Sequence, residues 1–374
     1  MVIVVWKLCT AASYSIGGYV EEMPFVTLPP ENRSDARGDN CVQFRLNTSW
    51  YPLTPVAIEA SGRVLIYGGS DFRDAGLIAS ELSVDPGFLD LAWAQGKNKT
   101  PLVCFENIDR LSFKLAKGAV EATIGRQRIN WGTNLIWNPN DWFNAYNFLD
   151  FAYYEKPGAD ALRFRYYANS TTVVEFALQA GRSQDRRNFA GLYKFNFLNY
   201  DWQFQAGLSG NDLASGFSWS GAMKGAGFRG EASLYRSVID RKALDRPRGV
   251  ASVSADYTFR NSFYLQGSVL YNGFGASGQS PPFTMASVVN AKSLIPKRYA
   301  LFGEAAYQLT PLLRPDLSAS ICPIDGSFYL APSASFSVHN NVDFLALVQI
   351  FHGNAGDLYG KAPDFITVSL KWSF

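Results

Sequence analysis

The chain has 374 residues and a formal net charge of +2, too near neutral for a nucleic-acid footprint. Charged residues make up 18%, below the roughly 25% of soluble domains, while aromatics reach 15% beside 32 glycines. That mixture suits short strands with aromatic girdles. The four cysteines, Cys9, Cys41, Cys104 and Cys322, are far apart, and none forms a CxxC pair. With His339 and His352 the only histidines, no zinc site is expected; a disulfide would have three alternative pairings.

At the N-terminus, residues 1–13 read as a tail or the remnant of an export signal. The stretch to Val20 is interrupted by Lys7, Thr10 and two serines, which makes it a poor membrane helix. Period-two alternation then predicts strands at 14–24, 41–51, 56–67, 104–116, 119–127, 160–168, 171–181, 188–197 and 201–209. It continues at 215–223, 226–236, 248–259, 262–272, 299–309, 315–322, 326–338, 342–351 and 364–374. The sum is eighteen, with sixteen as the alternative. Short turns such as Lys117-Gly118, Lys224-Gly225 and Asn340-Asn341 alternate with connections at 25–40, 68–103, 128–159, 273–298 and 352–363. That asymmetry is the outer-membrane pattern. The expected fold is therefore all-β: a single transmembrane up-and-down antiparallel barrel over 14–374, in the bacterial outer membrane, with outer-membrane lipids around it.

A large β-sandwich or propeller is the soluble alternative. It would carry polar outer faces, whereas Phe113, Phe164, Phe176, Trp202, Phe204, Phe263, Phe344 and Trp372 all occupy the apolar parity. The last strand is the clearest case. Ile366, Val368, Leu370, Trp372 and Phe374 share one face, and Thr367, Ser369, Lys371 and Ser373 the other. A barrel has no free edge, so this strand must close against the weak first strand at 14–24.

Parity also assigns the lumen. It places Arg45, Arg63, Lys114, Arg163, Arg165, Lys194, Arg229 and Lys371 inward, with Glu59, Glu121, Glu175, Glu231, Asp256, Glu304 and Asp343. A charge on the lipid face would cost about 2–4 kcal/mol at the midplane, so this one-sidedness supports the register. The near balance of signs predicts a screened polar channel, with Arg163 and Arg165 as a local basic ladder and a modest preference for anionic or polar solutes. The alternative is that the charges pair across the lumen and fill it.

Residues 124–160 are the most distinctive segment. Arg126 and Arg128 fall on the lipid parity of their strand, which predicts a bulge at Gly125 that turns both inward to the pore. Trp131, Trp137, Asn138, Asp141 and Trp142 follow, and Asn138-Pro139-Asn140-Asp141 is a turn signature. Aromatics and amides together suggest an inward-folded constriction loop; packing of those aromatics against the wall is the plainer reading. The run GRQRINWG, then NPNDWFN and PGADALRFRYY, resembles porin-like barrels related to the alginate-export family and a wider set of outer-membrane proteins. The likeness spans Gly125 to Tyr167. It implies a monomeric barrel of eighteen strands, with loops over the channel and a path lined by Arg126, Gln127, Arg128, Trp131, Arg163 and Arg165. A polyanion exporter should be strongly basic inside, and the balanced lumen departs from that.

No Gly-x-Ser-x-Gly, HExxH or P-loop occurs, so no catalytic residues and no cofactor are expected. The sequence supports a porin-like channel for small polar or anionic solutes. A loop-plugged interaction barrel is the alternative, in which the loops at 68–103, 128–159 and 273–298 bind outer-membrane protein partners.

Overall fold

A computed structural model describes residues 12–374 apart from 73, 86, 98–99, 151–154, 156, 240–245 and 286, and leaves out the side chain of residue 81. The sequence-predicted tail therefore lies almost wholly outside the described residues, as does Cys9. No helix among the described residues is long and apolar enough to cross a membrane.

The chain forms one antiparallel sheet. Its first strands are β1 (Ser13–Leu28), β2 (Arg37–Leu53), β3 (Val56–Gly69), β4 (Ala92–Lys97), β5 (Thr100–Lys117), β6 (Val120–Gln127) and β7 (Ala159–Tyr167). Next come β8 (Val173–Gln179), β9 (Asn188–Phe197), β10 (Tyr200–Ser209), β11 (Asp212–Met223), β12 (Ala226–Ser237) and β13 (Arg248–Thr258). The last are β14 (Phe263–Asn272), β15 (Tyr299–Tyr307), β16 (Leu313–Ile321), β17 (Phe328–His339), β18 (Val342–His352) and β19 (Asp364–Ser373). Apart from β3 and β4, each strand pairs with its sequence neighbour, and β1 pairs with both β2 and β19. The sheet closes into an eighteen-stranded barrel plus one short insert, because β4 pairs only with β5 while β3 bypasses it to reach β5. β4 lies beside β5 over Val103–Asn107, above the point where β6 stops at Gln127. A half-length strand thus completes the wall that the short β6 leaves unfinished.

The predicted count of eighteen holds for the wall, but two connections differ. The first loop is shorter than predicted, because β1 runs on to Leu28 and β2 begins at Arg37. The 68–103 connection carries β4 and a helix, α1 (Ala75–Leu82). Ala75, Ala79 and Leu82 share one face of that helix and pack on Val103 and Ala94. Alternation counts miss such a segment because its apolar residues recur every three to four positions rather than every two.

Closure is at the predicted seam. Tyr19 faces Ser373, Val20 faces Trp372, and the ladder runs to Leu28 opposite Asp364. Ile366, Leu370, Trp372 and Phe374 are all exposed, as a lipid-facing row must be. Gly18 makes the seam possible. A Cβ there would run into the Arg45 carbonyl, while the Gly18 N–H donates to the Phe374 carbonyl at 3.0 Å. Gly18→Val is therefore expected to cut the yield of folded barrel severely; heat-modifiable migration on a gel measures this, and normal migration would contradict the seam.

Short turns of two to five residues join the strands on the rim where β1 begins and β19 ends. Leu198 and Asn199 both take positive φ, at 55° and 61°, as the hairpin turn of matching twist requires. Among the three described cysteines no disulfide forms; Cys41, Cys104 and Cys322 are free thiols.

The hydrophobic core lies inside the barrel. Ile129, Trp131, Trp137, Trp142, Phe143 and Leu149 of one loop pack on Leu192, Tyr235, Val250, Leu270 and Phe302 of the inner wall. The inner face thus carries apolar patches under the loop, where parity alone predicts a wet surface throughout. Leu65 with Met23, Cys41 and Phe105 forms a second such patch.

Candidate functional site

The site is built by the described residues of 128–158, which leave the wall after β6 ends at Gln127 and before β7 begins at Ala159. The break begins at Gly125, whose φ of +112° and close approach to the Leu111 carbonyl admit no side chain. Beyond it Arg126 and Gln127 are both buried, where simple alternation would bury only one.

Arg126 is 3% exposed and sealed in a cage. Its Nε and Nη2 donate to the Asp160 carboxylate at 2.8 and 2.9 Å. Its Nη1 donates to Asp85 at 2.7 Å and to the Ile108 carbonyl at 3.1 Å, and Nη2 reaches the Leu89 carbonyl at 2.8 Å. Two carboxylates and two carbonyls use the guanidinium fork fully. Arg128 behaves differently: its side chain is exposed, and its carbonyl accepts from Arg163 at 3.3 Å. The two arginines therefore part company, one tying the plug to the preceding loop and the other left to solvent.

The plug is anchored to the wall by Glu231 of β12, which is 1% exposed. One carboxylate oxygen accepts the backbone N–H groups of Thr133 and Asn134, the latter at 2.6 Å; the other accepts that of Asn140 at 2.9 Å. The turn predicted at 138–141 supplies part of this nest. Asn138 and Asp141 are buried there, at 3% and 0% exposure. Trp131 Nε1 donates to Glu175 at 2.6 Å, and Trp142 Nε1 to Ser233 at 2.9 Å. Trp137 instead packs edge-on against Phe148 and Phe302.

Below the plug the inner wall is charged, and the charges pair along it rather than across it. Arg45 meets Asp109 at 2.8 Å with both side chains 2% exposed. Arg163 grips Glu175 through Nε at 2.6 Å and Nη2 at 2.7 Å. Glu121 takes both Arg165 and Lys114, the latter at 3.0 Å. Lys194 meets Asp201 at 3.0 Å and Arg229 meets Asp256 at 3.3 Å. Arg63 lies over the Phe105 ring and Lys371 over the Tyr19 ring, while Glu59 is half-buried. The predicted Arg163–Arg165 ladder thus becomes two arginine–glutamate pairs.

Several partners were not legible in the sequence. Asp109 escaped because a register shift at Ser61/Gly62 breaks the parity of β5. Asp85 sits in a loop, and Asp160 falls on the lipid parity of its own strand. Arg314 and Asp316 lay at the edge of a predicted strand that in fact starts at Leu313. The adjacent charges Asp109-Arg110 inside an alternating strand were the one available signal.

On the extracellular rim Lys297 pins three loops together. Its Nζ meets Asp325 at 2.8 Å and the carbonyls of Gly278 and Gly356 at 2.7 and 3.1 Å. Burial raises the Asp325 pKa, but Lys297, Ser327 and backbone N–H groups outweigh it and hold this carboxyl below its ordinary range. A depressed pKa means stabilisation that is full above the unfolded carboxylate value near 4 and drains as pH falls below it. Hydrogen exchange at Leu358, whose N–H donates to Asp325 at 2.9 Å, should therefore stay slow at neutral pH and speed up in acid after correction for intrinsic rates.

No family model matches the chain, and no curated protein matches it. Solved structures do. The outer membrane protein OpdK of Pseudomonas aeruginosa aligns with a TM-score of 0.60 at 8% identity, over 97% of this chain and 98% of that one. OccAB2 of Acinetobacter baumannii aligns at 0.61 and 11% identity, over 97% and 98%. OccK8 (OprE) of Pseudomonas aeruginosa aligns at 0.60 and 9% identity, over the same shares. The chain has the fold of these outer-membrane barrels. The likeness covers the whole wall, so the closed barrel architecture is shared end to end, and it does not single out the alginate-export group.

Proposed function

We propose that the chain is a porin-like channel of the bacterial outer membrane, through which small polar or anionic solutes diffuse passively. The carrying observation is the combination of an apolar outer wall, a charged inner wall and a loop folded into the lumen. Residues 128–159 are the constriction, and Glu59, Arg63, Lys114, Glu121, Arg128, Arg163, Arg165, Lys194, Arg229 and Lys371 face the path around or below it, while Arg45 and Glu175 are closed in buried pairs in its wall. Arg126 and Glu231 hold the constriction rather than touch solute, as do Trp131, Trp137, Asn138, Asp141 and Trp142. Because Arg163 and Arg165 each have a glutamate partner, their pull on anions is weaker than two bare arginines would give. The finer likeness to alginate-export barrels rests on the Gly125–Tyr167 motif alone, and the paired charges favour small solutes over a long polyanion.

Swelling of liposomes that hold the purified chain tests this. Arabinose should enter quickly and a trisaccharide slowly; no swelling with any sugar from folded protein would reject the channel. One observation favours a second reading. The plug's tryptophans are almost fully buried against the wall, as in a barrel closed by its own loop and serving outer-membrane protein partners through its outer loops. Silent liposomes together with a folded barrel would select it.

A further inference from the structure

A cavity of about 350 Å³ lies between the plug and the inner face of β15–β18. That is the lower end of the range for small-molecule sites. Its upper part is aromatic. Tyr146 and Phe148 come from the plug, Phe302 and Tyr329 from the wall, and Phe148 meets Phe302 edge-on at 5.9 Å. Its lower part carries Glu304 and Asp316 with Arg314. Ser318, Ser333 and Ser335 supply hydroxyls, and that of Ser318 donates to Asp316 at 2.9 Å.

The charges here are held more loosely than elsewhere in the lumen. One arginine serves two carboxylates, at 3.4 Å from Glu304 and only 3.8 Å from Asp316. Its side chain is 45% exposed, while each carboxylate is 18% exposed. Arg314 also leans over the Tyr264 ring at 5.9 Å rather than clamping the acids. The caged Arg126 shows what a committed pairing looks like in this barrel, and this one is loose. Two carboxylates that one arginine holds only loosely thus stand beside the aromatic rings and open to the lumen. A cation with a ring would satisfy both halves, its ammonium on the carboxylates and its ring against Phe148 and Phe302.

We propose that this cavity is a solute subsite for small organic amines that carry an aromatic or apolar body. The inference rests on the channel reading for its physiological meaning, but the cavity can bind whether or not the barrel conducts. Both are tested on the full chain with tyramine as probe. Calorimetry in detergent should show saturable tyramine binding, with 4-hydroxyphenylacetate binding at least about tenfold more weakly because its charge is reversed. Glu304→Gln with Asp316→Asn should weaken tyramine binding about tenfold or more, and Arg314→Gln, which frees both carboxylates, should strengthen it several-fold. The two changes have opposite signs, so a variant that fails to fold does not remove the test. No tyramine binding to the folded wild-type chain, or equal binding of amine and acid, would overturn the subsite. Tyramine binding without conductance in bilayers would reject the channel and keep the subsite. Conductance without tyramine binding would do the reverse.

Discussion

Replacing Glu231 with Ala should open the barrel. The carboxylate is the only wall group that accepts three plug N–H groups among the described residues, and its loss leaves those donors buried. Each unsatisfied donor costs about 1–3 kcal/mol, enough together to loosen the 133–140 stretch even though Trp131 and Trp142 keep their bonds to Glu175 and Ser233. The expected result is a several-fold rise in single-channel conductance and entry of sugars that the wild-type barrel excludes. Glu231→Gln should fall between, since one amide oxygen still accepts. Unchanged conductance in Glu231→Ala, from protein shown to be folded, would mean that the plug does not set the bore.

The second large effect concerns stability. Arg126→Ala should destabilise the barrel by about 3–5 kcal/mol, because it strands Asp85 and Asp160 as buried, uncompensated charges. The measurement is the urea midpoint for loss of the folded band in detergent. Adding Asp85→Asn and Asp160→Asn to Arg126→Ala should recover part of the loss, because the triple variant buries no charge. If Arg126→Ala alone matches the wild type, the cage is not a stabilising element.

These two residues mark where the sequence could and could not be read. The wall was legible because its information is local: period-two alternation fixes each strand, and the cost of charge in lipid fixes its parity. The seam between β1 and β19 followed from topology, even though the first strand is weak in sequence. The plug was legible only as an anomaly. Arg126 on the lipid parity, with Gly125 beside it, announced a break in the wall, but the cage depends on Asp85, 41 residues away in sequence. Parity places Glu231 on the inner face, yet parity cannot distinguish a carboxylate facing water from one facing the backbone of Thr133, Asn134 and Asn140. The apolar inner patches were missed for the same reason. Leu192, Val250 and Leu270 lie on the lumen parity because the plug, not water, covers them. A bulge such as that beside Asp109 then shifts the parity count, and only the strand partner shows it.

The central claim is that the inward-folded loop narrows, but does not seal, a passive channel. Single-channel recording of the wild-type chain in a planar bilayer tests it most directly. The account predicts discrete, ohmic current steps with weak ion selectivity, smaller than those of Glu231→Ala under the same salt. A silent bilayer containing protein whose folded state has been verified would contradict it.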